Sequence, residues 1–391
     1  MPVQPRIPVV MYHSVGERLD SWLWPDLTIS AELFEKQIKL LKANGYRSLF
    51  LDELYERQTA GVTGKEKEVV LTFDDGYLDN WVFAYPILKK HGWRGTIYVN
   101  PEFIDPSEDP RLTLEDVWAG KCAMEDLTVH GFLNRAELRL LQESGVMEIG
   151  SHSMSHTWYP TSASIKDFHR PDLDTPWLAW NAQPERKHAY LIEDQSGFVE
   201  PGYPIHTHGR SLGIRRYIPS VDLAEFGIKW AADKVRLESL SSNHGRADLL
   251  AAIEEFGGDG RFESDEEMIN RFEYEIVESK KQLEEIIGKE VPHFCWPGGA
   301  YCAESWPLAE KAGHQTICVA RRDKVRWSAD DPKLVRRIGS NDFVTFRGKR
   351  YATENPRFLL WACNIELGAS AQRWPMRIAK VMNAIKSRLT S

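Results

Sequence analysis

The stretch Val69-Val70-Leu71-Thr72-Phe73-Asp74-Asp75-Gly76 decides the reading of this chain. Five residues suited to a strand run straight into two adjacent carboxylates and a glycine. A continuous apolar run is what a parallel strand needs when both of its faces are covered. The turn after such a strand displays reactive groups at the carboxyl end of the sheet. Two neighbouring aspartates repel each other, so the pair calls for a cation or a shared proton. A solvated Asp-Asp-Gly turn accounts for the same residues, and the rest of the chain has to decide between the two.

Outward from this stretch, strand-like runs recur over residues 7–12, 46–50, 95–100, 146–150, 293–296, 315–320 and 334–339. Helical patterns fall between them, over 31–44, 51–58, 77–90 (bent near Pro86), 134–143, 265–287 and 303–312. In the first helix Leu33, Phe34, Ile38 and Leu41 share a face, and Gly45 supplies the stop. Residues 61–67 read as a polar loop and 101–128 as irregular. Strand followed by helix, repeated about seven times, predicts an α/β fold with a parallel sheet, most economically a closed or incomplete barrel. The alternation breaks over 158–264, a block rich in Trp, Pro, His and Gly with some helix around 246–256. It is too long for an ordinary loop and reads as an insertion or lid. The expected organisation is a first part of the barrel over 1–157, the insertion over 158–264, a second part over 265–345 and a C-terminal helical tail over 346–391.

The 391 residues are 42% hydrophobic and 27% charged, enough for a large core without disulfide staples. A net charge of −8, from 49 basic and 57 acidic residues, gives no clustered basic footprint, so no nucleic-acid partner is expected. The five cysteines are odd in number and lack Cys-x-x-Cys spacing, which argues against a disulfide framework and a thiolate zinc site. The first residues, Met1-Pro2-Val3-Gln4-Pro5-Arg6, carry no signal-peptide pattern, and no apolar run approaches the ~20 residues of a membrane span. A cytoplasmic protein is the expectation. Over 370–389, Trp374, Ile378, Val381, Met382 and Ile385 line one side of a helical pattern, with Arg373, Arg377, Lys380 and Lys386 elsewhere. Such a helix packs on its own domain or rests peripherally on the inner face of the membrane.

The partner of the aspartate pair is His152-x-x-x-His156. Histidines four apart share one face of a helical turn, so both imidazoles reach one ion. They follow the fifth strand, at the same rim as Asp74-Asp75. Two His and one carboxylate make an open ligand set with room for water and substrate. His206-Thr207-His208 offers a second pair on a strand face, without a carboxylate in the same segment. Trp158, Tyr159, Trp177 and Trp180 in the insertion read as core packing or as a platform for sugar rings.

Thr72-Phe73-Asp74-Asp75-Gly76 followed by Ser151-His152-Ser153-x-x-His156 resembles the polysaccharide deacetylase family (carbohydrate esterase family 4, NodB-homology). The resemblance extends to Pro8-Val9-Val10-Met11-Tyr12-His13-Ser14-Val15 and to the helix leading into Phe294-Cys295-Trp296-Pro297-Gly298-Gly299. These features are most similar to the poly-N-acetylglucosamine deacetylase branch. The resemblance covers about 7–157 and 265–339 and leaves the insertion unaccounted for. It implies a distorted, incomplete (β/α) TIM-like barrel and one divalent metal ion on Asp75, His152 and His156, with zinc first and cobalt or nickel as alternatives. It implies Asp74 as general base in the hydrolysis of an N-acetyl or similar N-acyl group on an amino sugar.

Two departures matter. Many members take the general acid from a His late in the domain. The only histidine after Pro297 is His314, which precedes a strand and so belongs at the opposite rim. His13 ends the first strand at the right rim, and the resemblance to the poly-N-acetylglucosamine branch implies it as the acid. The arginine that many members carry before the third motif is missing from Pro292-His293-Phe294-Cys295-Trp296-Pro297. Arg337 is the expected replacement, paired with Asp74, while Trp296 and Pro297 wall the substrate groove. The substrate is then an N-acetylated polysaccharide or its precursor, such as a lipid-linked or nucleotide-linked sugar. The alternatives are a catalytically inactive carbohydrate-binding member of the same fold and an aspartyl phosphotransferase acting through Asp74.

Overall fold

A computed structural model describes residues 5–61, 66–319, 331–346 and 349–390. The expectations for residues 1–4, for most of the 61–67 loop and for residue 320 lie outside them.

Seven parallel strands form the ring. They are β1 (Val9–Tyr12), β3 (Glu68–Phe73), β4 (Gly95–Val99), β5 (Met147–Ser151), β8 (His293–Cys295), β9 (Thr316–Val319) and β10 (Leu334–Gly339). Their order is β1-β10-β9-β8-β5-β4-β3, and β3 pairs back onto β1 with Val9 opposite Val70 and Tyr12 opposite Phe73. The ring therefore closes, with one strand fewer than an eight-stranded barrel. A short strand, β2 (Arg47–Leu49), joins the amino-terminal half of β3. The seam between β5 and β8 is thin, with Phe294 opposite Ser151 as its one paired position.

Side chains alternate between the interior and the helical layer, as the strand period of two requires. Val9, Val70, Tyr98, Cys295, Cys318 and Val335, one from each of six strands, form one buried cluster. The seventh strand contributes Gly150, where a Cβ would lie 2.6 Å from the Tyr98 ring, so the glycine leaves room for that ring. The intervening residues, among them Val10, Leu71, Phe73, Ile97 and Ile149, face outward and bury Leu33, Phe34, Ile38 and Leu41 of the helix Ala31–Ala43. Ser30 caps that helix through Leu33 N. Two residues toward the carboxyl ends, the interior set becomes mostly polar, with Thr72, Asn100, His152 and Arg337 beside Met11. That layer is the floor of the site.

The helix expected over 265–287 is Asp265–Glu273 and Ser279–Ile287 joined by a π-helical turn at Tyr274–Glu278. Such a turn projects side chains that a regular helix would not, and Glu275 uses it below. The tail expected to be helical over 346–391 opens instead on an antiparallel strand pair, Phe343–Phe346 with Lys349–Ala352. Only then does it enter the helix Arg357–Glu366, whose Leu359 and Cys363 enter the same outer core as Ile38 and Leu41. This helix therefore completes the barrel's helical layer. It is followed by the amphipathic helix Arg373–Thr390. No helix among the described residues is long and apolar enough to cross a membrane.

The insertion builds an antiparallel hairpin, β6 (Trp158–Phe168) with β7 (Pro204–Arg210). Behind it, Phe168, Ala231, Leu240, Leu249 and Ile253 make a small core with the helices Val221–Ala231 and Asn243–Phe256.

Candidate active site

The carboxyl ends of β1, β3, β5 and β8 converge on a cavity of about 490 Å³ lined by His13, Asp74, Asp75, His152, His156, Trp296 and Arg337. Of the expected site residues, only Pro297 stays off its wall; it is buried at the start of the turn Pro297–Gly299.

Asp75 Oδ1 lies 3.3 Å from His152 Nε2 and 3.4 Å from His156 Nε2. It is buried without a hydrogen-bond donor of its own. His152 Nδ1 is 2.8 Å from the Cys295 carbonyl, which can only accept, so Nδ1 carries the proton and Nε2 is turned toward Asp75. Three ligand atoms facing one small space, one of them orphaned, fit a divalent cation in a three-ligand open site. Burial pushes His156 down to about 4 against the opposing pull of Asp75. At neutral pH its ring is therefore neutral, the form that binds metal. Burial lowers His152 too, but Asp74 and Asp75 together raise it above its ordinary value, and a cation would take that proton's place.

The two histidines do not sit on a helical turn, contrary to the spacing argument. Residues 152–157 form an irregular loop in which Ser153 (φ 65°) and His156 (φ 46°) are left-handed, as is Asp75 (φ 74°) across the cavity. Backbone of this kind is unfavourable for residues with a Cβ. It is held by many contacts. His152 N donates to Val99 O at 3.0 Å, and Met154 N donates to Glu275 O at 3.0 Å. Asn100 Nδ2 donates to the carbonyls of His152 and Ser153. Glu275, 1% exposed, accepts from Ser155 N at 3.0 Å and from Ser155 Oγ. Lys187, from the insertion, donates to Ser155 O at 3.0 Å and pairs with Glu102. Asn100, Glu275 and Lys187 carried no signal in the sequence, because their roles depend on which strand and which insertion segment meet the loop.

Asp74 is held differently. Arg337 Nη1 and Nη2 donate to its two oxygens at 2.5 and 2.7 Å, a parallel bidentate pair. Burial alone would raise this carboxyl; Arg337, His152 and His13 outweigh it and hold it below its ordinary value. His13 Nε2 lies 3.8 Å from Asp74 Oδ2 and faces the same cavity. Asp74, His152 and Cys295 also lie together, but Asp74 is taken by Arg337, and burial pushes the Cys295 thiol up, away from the thiolate a metal would need.

The remaining expectations divide. Trp158 and Trp180 line the cavity with Trp24, Phe103, Phe132 and Tyr190. Trp177 stacks behind Trp158 at 5.1 Å and 13°, and Tyr159 lies beneath Arg216 and Arg271. Trp296 is 1% exposed and packs with Phe294 and Trp306 as well as lining the wall. His206 and His208 turn Nδ1 toward backbone carbonyls, and among the described residues no carboxylate joins them in a metal-sized group. His314 is buried against Phe294 at the amino-terminal end of β9.

The family profile described as polysaccharide deacetylase matches residues 61–174, the span that holds Asp74, Asp75, His152 and His156. The chain is 38% identical over 94 residues to YxkH of Bacillus subtilis (strain 168), which carries a polysaccharide deacetylase name. It is 25% identical over 144 residues to the poly-beta-1,6-N-acetyl-D-glucosamine N-deacetylase of Escherichia coli (strain K12). The matches cover 24% and 37% of this chain, and 32% and 20% of those relatives, so it spans a third or less of their length. The solved de-N-acetylase of Aggregatibacter actinomycetemcomitans has a similar fold, with a TM-score of 0.52 at 19% identity over 85% of this chain and 94% of that one.

Proposed function

We propose that this chain, which belongs to the polysaccharide deacetylase family through residues 61–174, is a metal-dependent hydrolase that removes an N-acetyl or similar N-acyl group from an amino sugar. One observation carries the reading. A buried carboxylate oxygen without a donor faces two imidazole nitrogens at 3.3 and 3.4 Å, with a second, arginine-held carboxylate in the next residue.

Asp75, His152 and His156 are the residues that would hold the ion, and zinc, cobalt or nickel suits their mixed nitrogen and oxygen donors. When bound, a divalent cation polarises water and an amide carbonyl. Asp74, ionised and fixed by Arg337, accepts the proton that water gives up as its oxygen adds to the acyl carbon. His13, on the same cavity, gives a proton to the sugar nitrogen as the C–N bond breaks. A carboxylate and an amine leave. Trp158 and Trp180 offer aromatic faces to the sugar ring.

Acetate release from a panel of N-acetylated saccharides, with and without chelator, tests this reading. Turnover abolished by chelator and restored by zinc supports it; no release from any member sinks it.

The tail helix is proposed as a membrane-surface contact. Trp374, Ile378, Val381, Met382 and Ile385 are all exposed, while Met376 packs inward with Val344 and Phe358.

A further inference from the structure

The insertion brings into the cavity a cation that the fold leaves unneutralised. Arg210 ends β7, directly across the ladder from Trp158. Its guanidinium carbon lies 5.0 Å from the centroid of the Trp158 ring, which is backed in turn by Trp177. The same guanidinium fills the space that a side chain at residue 298 would need: a Cβ on Gly298 would sit 2.2 Å from both Cζ and Nε. Gly298 has φ 54°, so both its conformation and the arginine exclude a larger residue there.

Three other arginines of this region are paired, Arg215 with Asp265, Arg271 with Glu263 and Arg170 with Asp167. Arg216 lies over the Tyr159 ring, outside the cavity lining, and makes no ion pair among the described residues. Among the described residues Arg210 makes no ion pair, and its Nε is buried without a hydrogen-bond partner. Burial holds its basicity below the usual arginine value, with no carboxylate to offset the effect. A half-buried charge that nothing compensates is costly. A ligand oxygen anion would offset that cost, because the planar fork of a guanidinium matches phosphate and carboxylate geometry. Arg210 shares its cavity with Asp75, His152 and His156, and it is close enough to His156 to act on that ring.

Resting on the deacetylase reading, we propose that Arg210 is an anion-recognising, specificity-determining residue and that the substrate is an N-acylated amino sugar bearing a phosphate or carboxylate near the scissile amide. Trp158 and Gly298 hold the guanidinium in place for that group, so little side-chain freedom is lost when the anion docks.

Three matched probes test this: N-acetylglucosamine 1-phosphate, N-acetylmuramic acid and methyl N-acetylglucosaminide, assayed on the zinc-loaded full chain. In the unsubstituted protein kcat/KM for at least one anionic probe should exceed that for the neutral one by at least about tenfold, the worth of one charge-assisted hydrogen bond. Which anionic probe leads separates phosphate from carboxylate. Arg210→Gln should lower that ratio by about tenfold, and Arg210→Lys by less, since a point charge remains without the fork. Equal kcat/KM for all three probes, or a uniform loss across them in Arg210→Gln, overturns the proposal. If no probe is hydrolysed, the deacetylase reading is left to the saccharide panel above, and calorimetry decides the anion site by itself. At least about tenfold weaker binding of N-acetylglucosamine 1-phosphate by Arg210→Gln then supports it, and equal affinity overturns it.

Discussion

Arg337 grips Asp74 through two hydrogen bonds of 2.5 and 2.7 Å inside the mouth of the barrel, although 263 residues separate them in the chain. The same guanidinium reaches Thr72 Oγ1 at 3.2 Å and the Cys295 sulfur at 3.0 Å. One side chain from β10 thus orients the proposed base and ties β3 to β8.

Removing one partner of this pair should be worse than removing both. Arg337→Met leaves a buried carboxylate uncompensated, for a loss of about 3–5 kcal/mol. Arg337→Met combined with Asp74→Asn should regain most of that stability yet remain inactive, because the proposed base is gone. Urea unfolding of the single and double variants measures the coupling; additive losses would contradict the expectation.

Elemental analysis after dialysis against zinc should find one ion per chain. Asp75→Asn, His152→Ala and His156→Ala should each bring this close to none. Because binding acts on the folded state, zinc at about 100 times its dissociation constant should stabilise the unsubstituted protein by about 2.7 kcal/mol. The three variants should gain little. Undiminished zinc content in His156→Ala would remove this residue from the ligand set.

Asp79 gives the fold a pH dependence. It is buried beside Ser14, whose hydroxyl donates to it. Burial pushes its carboxyl up to about 7, against the pull of Ser14 and the backbone of Val15 and Asn80. In the unfolded chain it titrates near the ordinary value of about 3.9. Between these two values the folded state keeps a proton that the unfolded state has lost, so stability falls as pH rises through that window and levels off above it. Asp79→Asn should remove this slope. Its stability relative to the parent should therefore be greater at pH 8 than at pH 5, by about 1–3 kcal/mol. A difference that does not change with pH, measured by urea unfolding, would refute the assignment.

The full chain should sediment with phosphatidylglycerol vesicles and not with phosphatidylcholine vesicles, because basic residues near an anionic surface add about 1 kcal/mol each. Trp374→Asp with Ile378→Asp should abolish sedimentation while leaving acetate release in solution intact. Equal binding to both vesicle types would remove the charge contribution, and binding to neither would remove the membrane contact.

The sequence by itself determined the ring strands and the meeting of the aspartate pair with His152 and His156 at one rim. Buried parallel strands must be nearly all apolar, as residues 69–73 are, and the residues just after them must lie at one rim. That logic brought Asp74, Asp75, His152 and His13 together without coordinates. Arg337 was reached through the resemblance, which calls for an arginine that residues 292–297 lack. What only the tertiary structure decided lies where local propensity was overruled. The 152–156 segment reads as a helical turn by spacing, but contacts from Asn100, Glu275 and Lys187 hold it in left-handed backbone that no pattern encodes. Arg210 was invisible for a related reason. An arginine ending a strand is ordinary, and its meaning comes from having Trp158 beside it, Gly298 against it and no ion pair among the described residues, relations set by packing across the chain.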